Sequence, residues 1–146
     1  MKRNMAAQIL VVIVIALAVL TAGCTPSAKK GFESYLMAPI PASVTILHSG
    51  GISGLETVWG CRFEISPSDL ELVIASQGLV RTNISASEQA RLATVFTAYV
   101  KTPVAPPDSF EFYELRRVSG DGYPEREYYL FAHPNHSEAF FLYTSE

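Results

Sequence analysis

Two histidines, His133 and His136, stand three residues apart in the run HPNH. A metal ion there would need a third donor, such as Glu138 or His48, and the spacing matches no zinc pattern. A solvated turn explains the run better. Cys61 is a candidate nucleophile. That role requires a lowered pKa, partial exposure and a neighbouring base. Its position beside Trp59 and Phe63 points to core packing instead. Gly50, Gly51 and Gly54 lack the following Lys-Ser/Thr pair and helix of a phosphate cradle. Ser53 lacks the second glycine of a nucleophile elbow. Glycine in a permissive hairpin loop accounts for the run. Glu111, Glu114, Glu125 and Glu127 would suit acid–base work on a glycan if two of them stood at the required separation. Nothing in the sequence sets that separation, and carboxylates on a wet sheet face are ordinary. No catalytic residue, metal site or cofactor is expected.

The N-terminus carries a stronger pattern. Lys2 and Arg3 precede Ile9 to Leu20, a run without one polar residue. A membrane-spanning helix needs about 20 apolar residues. The shorter run behind a basic start fits a secretory signal peptide. It ends Leu20-Thr21-Ala22-Gly23-Cys24, which resembles the lipobox of bacterial lipoproteins, with Thr21 where Leu is usual. The resemblance covers residues 1–24. It implies cleavage before Cys24, a diacylglyceryl group on the Cys24 sulfur, and anchoring to a lipid bilayer through acyl chains. Thr25 follows, where Asp would favour retention in the inner membrane of a two-membrane bacterium. The expected location is therefore extracytoplasmic, on the outer membrane facing the periplasm where there are two membranes.

Residues 24–146 then carry nine basic against fourteen acidic side chains. A nucleic-acid partner would call for a basic patch, and only Lys29-Lys30 and Arg116-Arg117 are paired. Nucleic acid is excluded. With Cys24 lipidated, Cys61 has no partner within the chain and should be buried or joined to another chain. The expected organisation is a signal peptide (1–23), a lipidated Cys and tether (24–31), and one domain (32–146).

Within that domain, FESYLM offers one helical turn before Pro39 and Pro41. SVTILHS (43–49) reads as a strand and GGISG as a turn. Val58 to Ile65 alternates cleanly, with Trp59, Cys61, Phe63 and Ile65 on one face. Ser66, Pro67 and Asp69 open a helix that Gly78 closes. Ser85 and Glu88 open a second, with Leu92, Val95, Phe96 and Tyr99 at helical spacing. Three strands follow near Phe110–Val118, Glu127–His133 and Ala139–Thr144. The order β-β-α-α-β-β-β predicts an α+β, two-layer sandwich: a mostly antiparallel sheet of about five strands with two helices on one face.

The last two strands, YYLFA and AFFLY, are apolar on both parities. One face should meet the helices. The other needs a cover, either the segment from Phe32 to Ile40 or a second protein. Tyr129, Phe131, Phe141 and Tyr143 are thus the candidate interaction surface for a protein partner at the C-terminal hairpin. The body, with PIPASVTILH and CRFEISPSDLE, looks like small uncharacterised bacterial lipoproteins, a resemblance that brings no activity with it. The expected role is a membrane-tethered, non-enzymatic binding or accessory domain. The alternative is a small cell-envelope hydrolase or metal-dependent enzyme.

Overall fold

The computed structural model describes residues 27–102, 104–118, 120–122, 124–135 and 137–145. The expected signal peptide and Cys24 lie outside the described residues, as does His136. Ten elements follow one another among the described residues. They are helix α1 (Ala28–Tyr35), strands β1 (Thr45–Ile52) and β2 (Thr57–Glu64), helix α2 (Pro67–Gln77), strand β3 (Val80–Arg81), helix α3 (Ala86–Val95), a π-helical turn (Phe96–Val100), and strands β4 (Glu111–Val118), β5 (Pro124–Ala132) and β6 (Glu138–Ser145).

The helix starts follow from local chemistry. Ser66 Oγ accepts the amide of Asp69 at 3.4 Å, and Pro67 occupies the first turn of α2. Gly78 closes α2 in the left-handed conformation, φ 70°, a position where a Cβ would be strained. Ser85 Oγ accepts the amide of Glu88 at 3.2 Å to open α3. Helix α1 begins earlier than the polar composition of TPSAKKG suggests. Ser27 Oγ accepts from the Lys30 amide at 3.4 Å, and Gly31 and Phe32 are already buried. The folded body thus takes in residues 27–31, which the sequence assigned to the tether.

The strands form one antiparallel sheet in the order β1-β2-β6-β5-β4-β3. It has six strands rather than five, because Val80 and Arg81 pair with Glu114 and Tyr113 at one edge. The last strand in sequence, β6, lies between β2 and β5 and so joins the two hairpin groups. The helices do not share one face, as the two-layer reading expected. Phe32 of α1, Leu36 at its C-cap, and Leu70 and Val73 of α2 cover the face bearing Trp59, Cys61, Phe63, Leu130 and Phe141. Leu92 of α3, with Phe96 and Val100 of the π-helical turn, covers the other face, against Phe112, Tyr129, Phe131, Phe140 and Leu142. This is why both parities of β5 and β6 are apolar: each face of the central strands meets helices.

Glycines decide how closely the π-helical turn approaches. Gly50 and Gly60 are partners across β1 and β2. A Cβ at Gly50 would stand 2.8 Å from the Tyr99 carbonyl, and one at Gly60 would stand 2.7 Å from a Val100 methyl. The pair thus forms a flat floor on which backbone rests directly. Gly50 and Gly51 lie inside β1 rather than in the hairpin loop to which the sequence assigned them.

Candidate functional site

The four aromatic residues expected to form an exposed surface are all buried. Tyr129 and Phe131 are 0% and 1% exposed, Phe141 and Tyr143 0% and 7%. They do not share a face either. Tyr143 pairs with Tyr128, and Tyr129 with Leu142, so Tyr129 and Tyr143 project to opposite sides. The N-terminal segment covers one set: Tyr35 of α1 stacks on Tyr143 at 4.5 Å between ring centroids. Helix α3 covers the other, where Arg91 Nη2 donates to the Tyr129 hydroxyl at 3.4 Å and Phe112 stacks on the Tyr129 ring. The aromatic faces of the hairpin are therefore core, not a working surface.

Charged side chains gather above Tyr129. Arg91 holds Glu88, one helical turn away, through two contacts of 2.8 and 3.0 Å. Arg116 on β4 reaches Glu114 at 3.2 Å, Glu127 on the neighbouring strand at 3.6 Å, and Glu88 at 3.9 Å. Thr144 Oγ1 donates to Glu127 at 3.4 Å. The two arginines and three carboxylates thus knit α3, β4, β5 and β6 together. Hydrogen bonding to Arg91 lowers the Glu88 pKa. Burial, followed by a hydrogen bond to Glu127, raises that of the Tyr129 phenol, which stays protonated as a donor.

Beside this network a groove of about 200 Å³ opens at the end of the sheet on the α3 face. Three parts of the chain line it. The β1–β2 hairpin supplies Glu56. Helix α3 and the π-helical turn supply Arg91, Val95 and Tyr99. The ends of β5 and β6 supply Glu125, Glu127, Thr144 and Ser145. Tyr99 is 38% exposed although the residues on either side of its turn, Phe96 and Val100, are buried. The Gly50–Gly60 floor explains that placement, since close seating of the turn sends Tyr99 outward along the rim. The sequence assigned Tyr99 to the apolar stripe of a regular helix. A π-helical turn changes the angular step and moves it off that stripe.

The other candidates stand apart from the groove. Cys61 is buried and free, and burial pushes its thiol well above the ordinary range. Few thiolates form, so the side chain is inert packing. His133 sits at the start of the final turn, edge-on to Phe110, and its Nδ1 accepts the Asn135 amide at 3.0 Å. Among the described residues no three His, Cys, Asp or Glu come together as a metal site. Of the four carboxylates noted near the last strands, Glu114 and Glu127 share Arg116, Glu125 lines the groove, and Glu111 lies elsewhere with Arg81 at 2.8 Å. Arg116 and Arg81 thus fasten Glu114, Glu127 and Glu111, while Glu125 and Glu127 both line the groove with Glu56. No helix among the described residues is long and apolar enough to cross a membrane. Comparison of the chain with protein-family models, with curated proteins and with solved structures finds no match.

Proposed function

We propose that this chain is a lipoprotein anchored through Cys24 on the extracytoplasmic side of a membrane, the outer membrane where a bacterium has two, and that its body is a binding or accessory domain. The observation that carries the binding role is the groove. Charged and aromatic side chains from a hairpin, a helix and two strand ends converge there, and a partly exposed, arginine-fastened network links the helix and strands that carry them. Binding sites are typically concave, with a few convergent polar groups on a rigid frame. A protein partner at the C-terminal hairpin would meet its polar end, at Glu125, Thr144 and Ser145, and not its aromatic faces.

The anchor rests on the lipobox-like ending of the short apolar run. One acyl chain gives only marginal membrane binding, and two or more hold stably. Two measurements test the reading. Mass spectrometry of the membrane-extracted protein should find a lipid-modified Cys24 at the mature N-terminus, and Cys24→Ser should accumulate as unprocessed precursor. An unmodified mature N-terminus on the wild-type chain overturns the anchor. A photo-crosslinking side chain at position 99 should form a defined adduct that is absent when it stands at the exposed Leu72 on α2. Equal patterns at both positions overturn the groove.

A further inference from the structure

The start of α1 has the wrong charge for a free helix end. The N-terminus of a helix carries partial positive charge and is stabilised by acidic side chains. Helices α2 and α3 obey this, with Asp69 and Glu88 in their first turns. Helix α1 has no acidic residue there and carries Lys29 and Lys30 instead. Both lysines are exposed, and among the described residues neither ammonium has an ionic partner.

The distance to Cys24 gives this arrangement a meaning. Ser27 caps α1, and Phe32 is fully buried one turn later. Only Thr25 and Pro26 separate Cys24 from the cap. An extended chain advances at most about 3.5 Å per residue, so the α-carbons of Cys24 and Ser27 stand within roughly 10 Å of each other. A domain held so closely has little freedom to tumble above its anchor. The pole that carries Ser27, Lys29 and Lys30 must lie at the level of the lipid headgroups. Elsewhere the chain from Cys24 onward is acidic in balance, and an anionic bilayer repels such surfaces.

We propose that the start of α1 is a membrane-docking surface, where Lys29 and Lys30 engage anionic lipid headgroups and hold the domain against the bilayer in one orientation. The proposal rests on the Cys24 anchor and adds to it a fixed pose. Headgroup phosphates supply the negative charge that the first turn of α1 lacks. The groove lies on the opposite face of the sheet from α1. Near an anionic surface each basic residue contributes about a fivefold bias toward the docked arrangement, and the bias fades once salt shortens the screening length to about 3 Å at 1 M.

The chain after residue 23 has three lysines: Lys29, Lys30 and Lys101. Lys101 follows the π-helical turn on the other face and is exposed, so it serves as an internal reference. The full chain, processed and extracted from membranes, is reconstituted into vesicles of phosphatidylglycerol and phosphatidylcholine. It is then pulsed with an impermeant amine-acylating reagent and read by peptide mass spectrometry. Relative to Lys101, Lys29 and Lys30 should label about 25-fold more slowly in these vesicles than in neutral detergent micelles, as two fivefold biases acting together give. High salt should abolish the protection. Vesicles of phosphatidylcholine alone should show little of it. Labelling of all three lysines at one rate in anionic vesicles overturns the docking surface. So does protection that persists in neutral lipid, which would reflect steric shielding by the short tether. Failure of the wild-type chain to float with the vesicles overturns the anchor itself, and the docking surface with it.

Discussion

Replacing Gly31 with alanine sets two effects of opposite sign against each other. In a helix interior, glycine to alanine gains about 1 kcal/mol because alanine loses less backbone freedom on folding. If residues 24–31 were a loose tether, the change would do nothing or would stiffen the chain slightly. The structure puts the Gly31 α-carbon against the face of the core. An added Cβ would stand 2.5 Å from Trp59 Nε1 and closer still to two carbons of the ring. The indole cannot yield easily. It is 1% exposed and lies between Tyr35, at 5.5 Å, and Phe141, at 6.3 Å. Overpacking of this kind costs about 1–3 kcal/mol, and at so short a contact the upper end applies. The net expectation is a loss of about 1–2 kcal/mol, which lowers Tm by about 4–8 °C in a domain of this size. Thermal unfolding followed by the fluorescence of Trp59, the sole tryptophan, reads both stability and the surroundings of the indole. Adding Trp59→Phe to Gly31→Ala makes room for the methyl group, so the alanine should then be neutral or stabilising, a coupling that a double-mutant cycle isolates. A rise in Tm for Gly31→Ala alone would refute the seating of α1 on Trp59, and an unchanged Tm would return residues 28–31 to the tether.

The remaining expectations concern the two faces of the sheet. Tyr129→Ala and Tyr143→Ala should each destabilise by about 3 kcal/mol or more, as large-to-small changes in a core do, measured by chemical denaturation; a loss below about 1 kcal/mol for either would place that ring at the surface. Cys61 should react slowly with a thiol reagent in the native state and rapidly after denaturation, because burial raises its pKa and blocks access; fast native labelling would contradict its packing. The Glu88 carboxylate is held below its ordinary value of 4.5 by Arg91, so its stabilisation is in place above that pH and is lost as acid protonates it. Arg91→Ala should therefore flatten the acid side of the pH–stability curve, and an unchanged curve would show that the pair contributes nothing.

Local signals specified the local structure. Ser66 with Pro67, Ser85 with Glu88, and the terminal Gly78 marked their helices because capping depends on a few neighbouring atoms. Alternation in residues 58–65 placed Trp59, Cys61 and Phe63 inward, since side chains in a strand alternate whatever surrounds them. The double apolar parity of β5 and β6 announced that both faces are covered. It did not say by what. The sequence offered the N-terminal segment or a second protein, and one of those two does cover a face: α1 lies over Trp59 and Tyr143. That α3 takes the opposite face was not legible, because connection lengths alone do not say to which side of a sheet a helix returns. The groove was not legible either. Glu56, Arg91, Tyr99 and Glu125 are far apart in the chain and meet only because β6 inserts between β2 and β5 and because two paired glycines let a helical turn settle on the sheet. Caps and alternation are properties of neighbours along the backbone. The meeting of distant side chains depends on strand order and on which face each helix packs, and those are settled when the whole core closes.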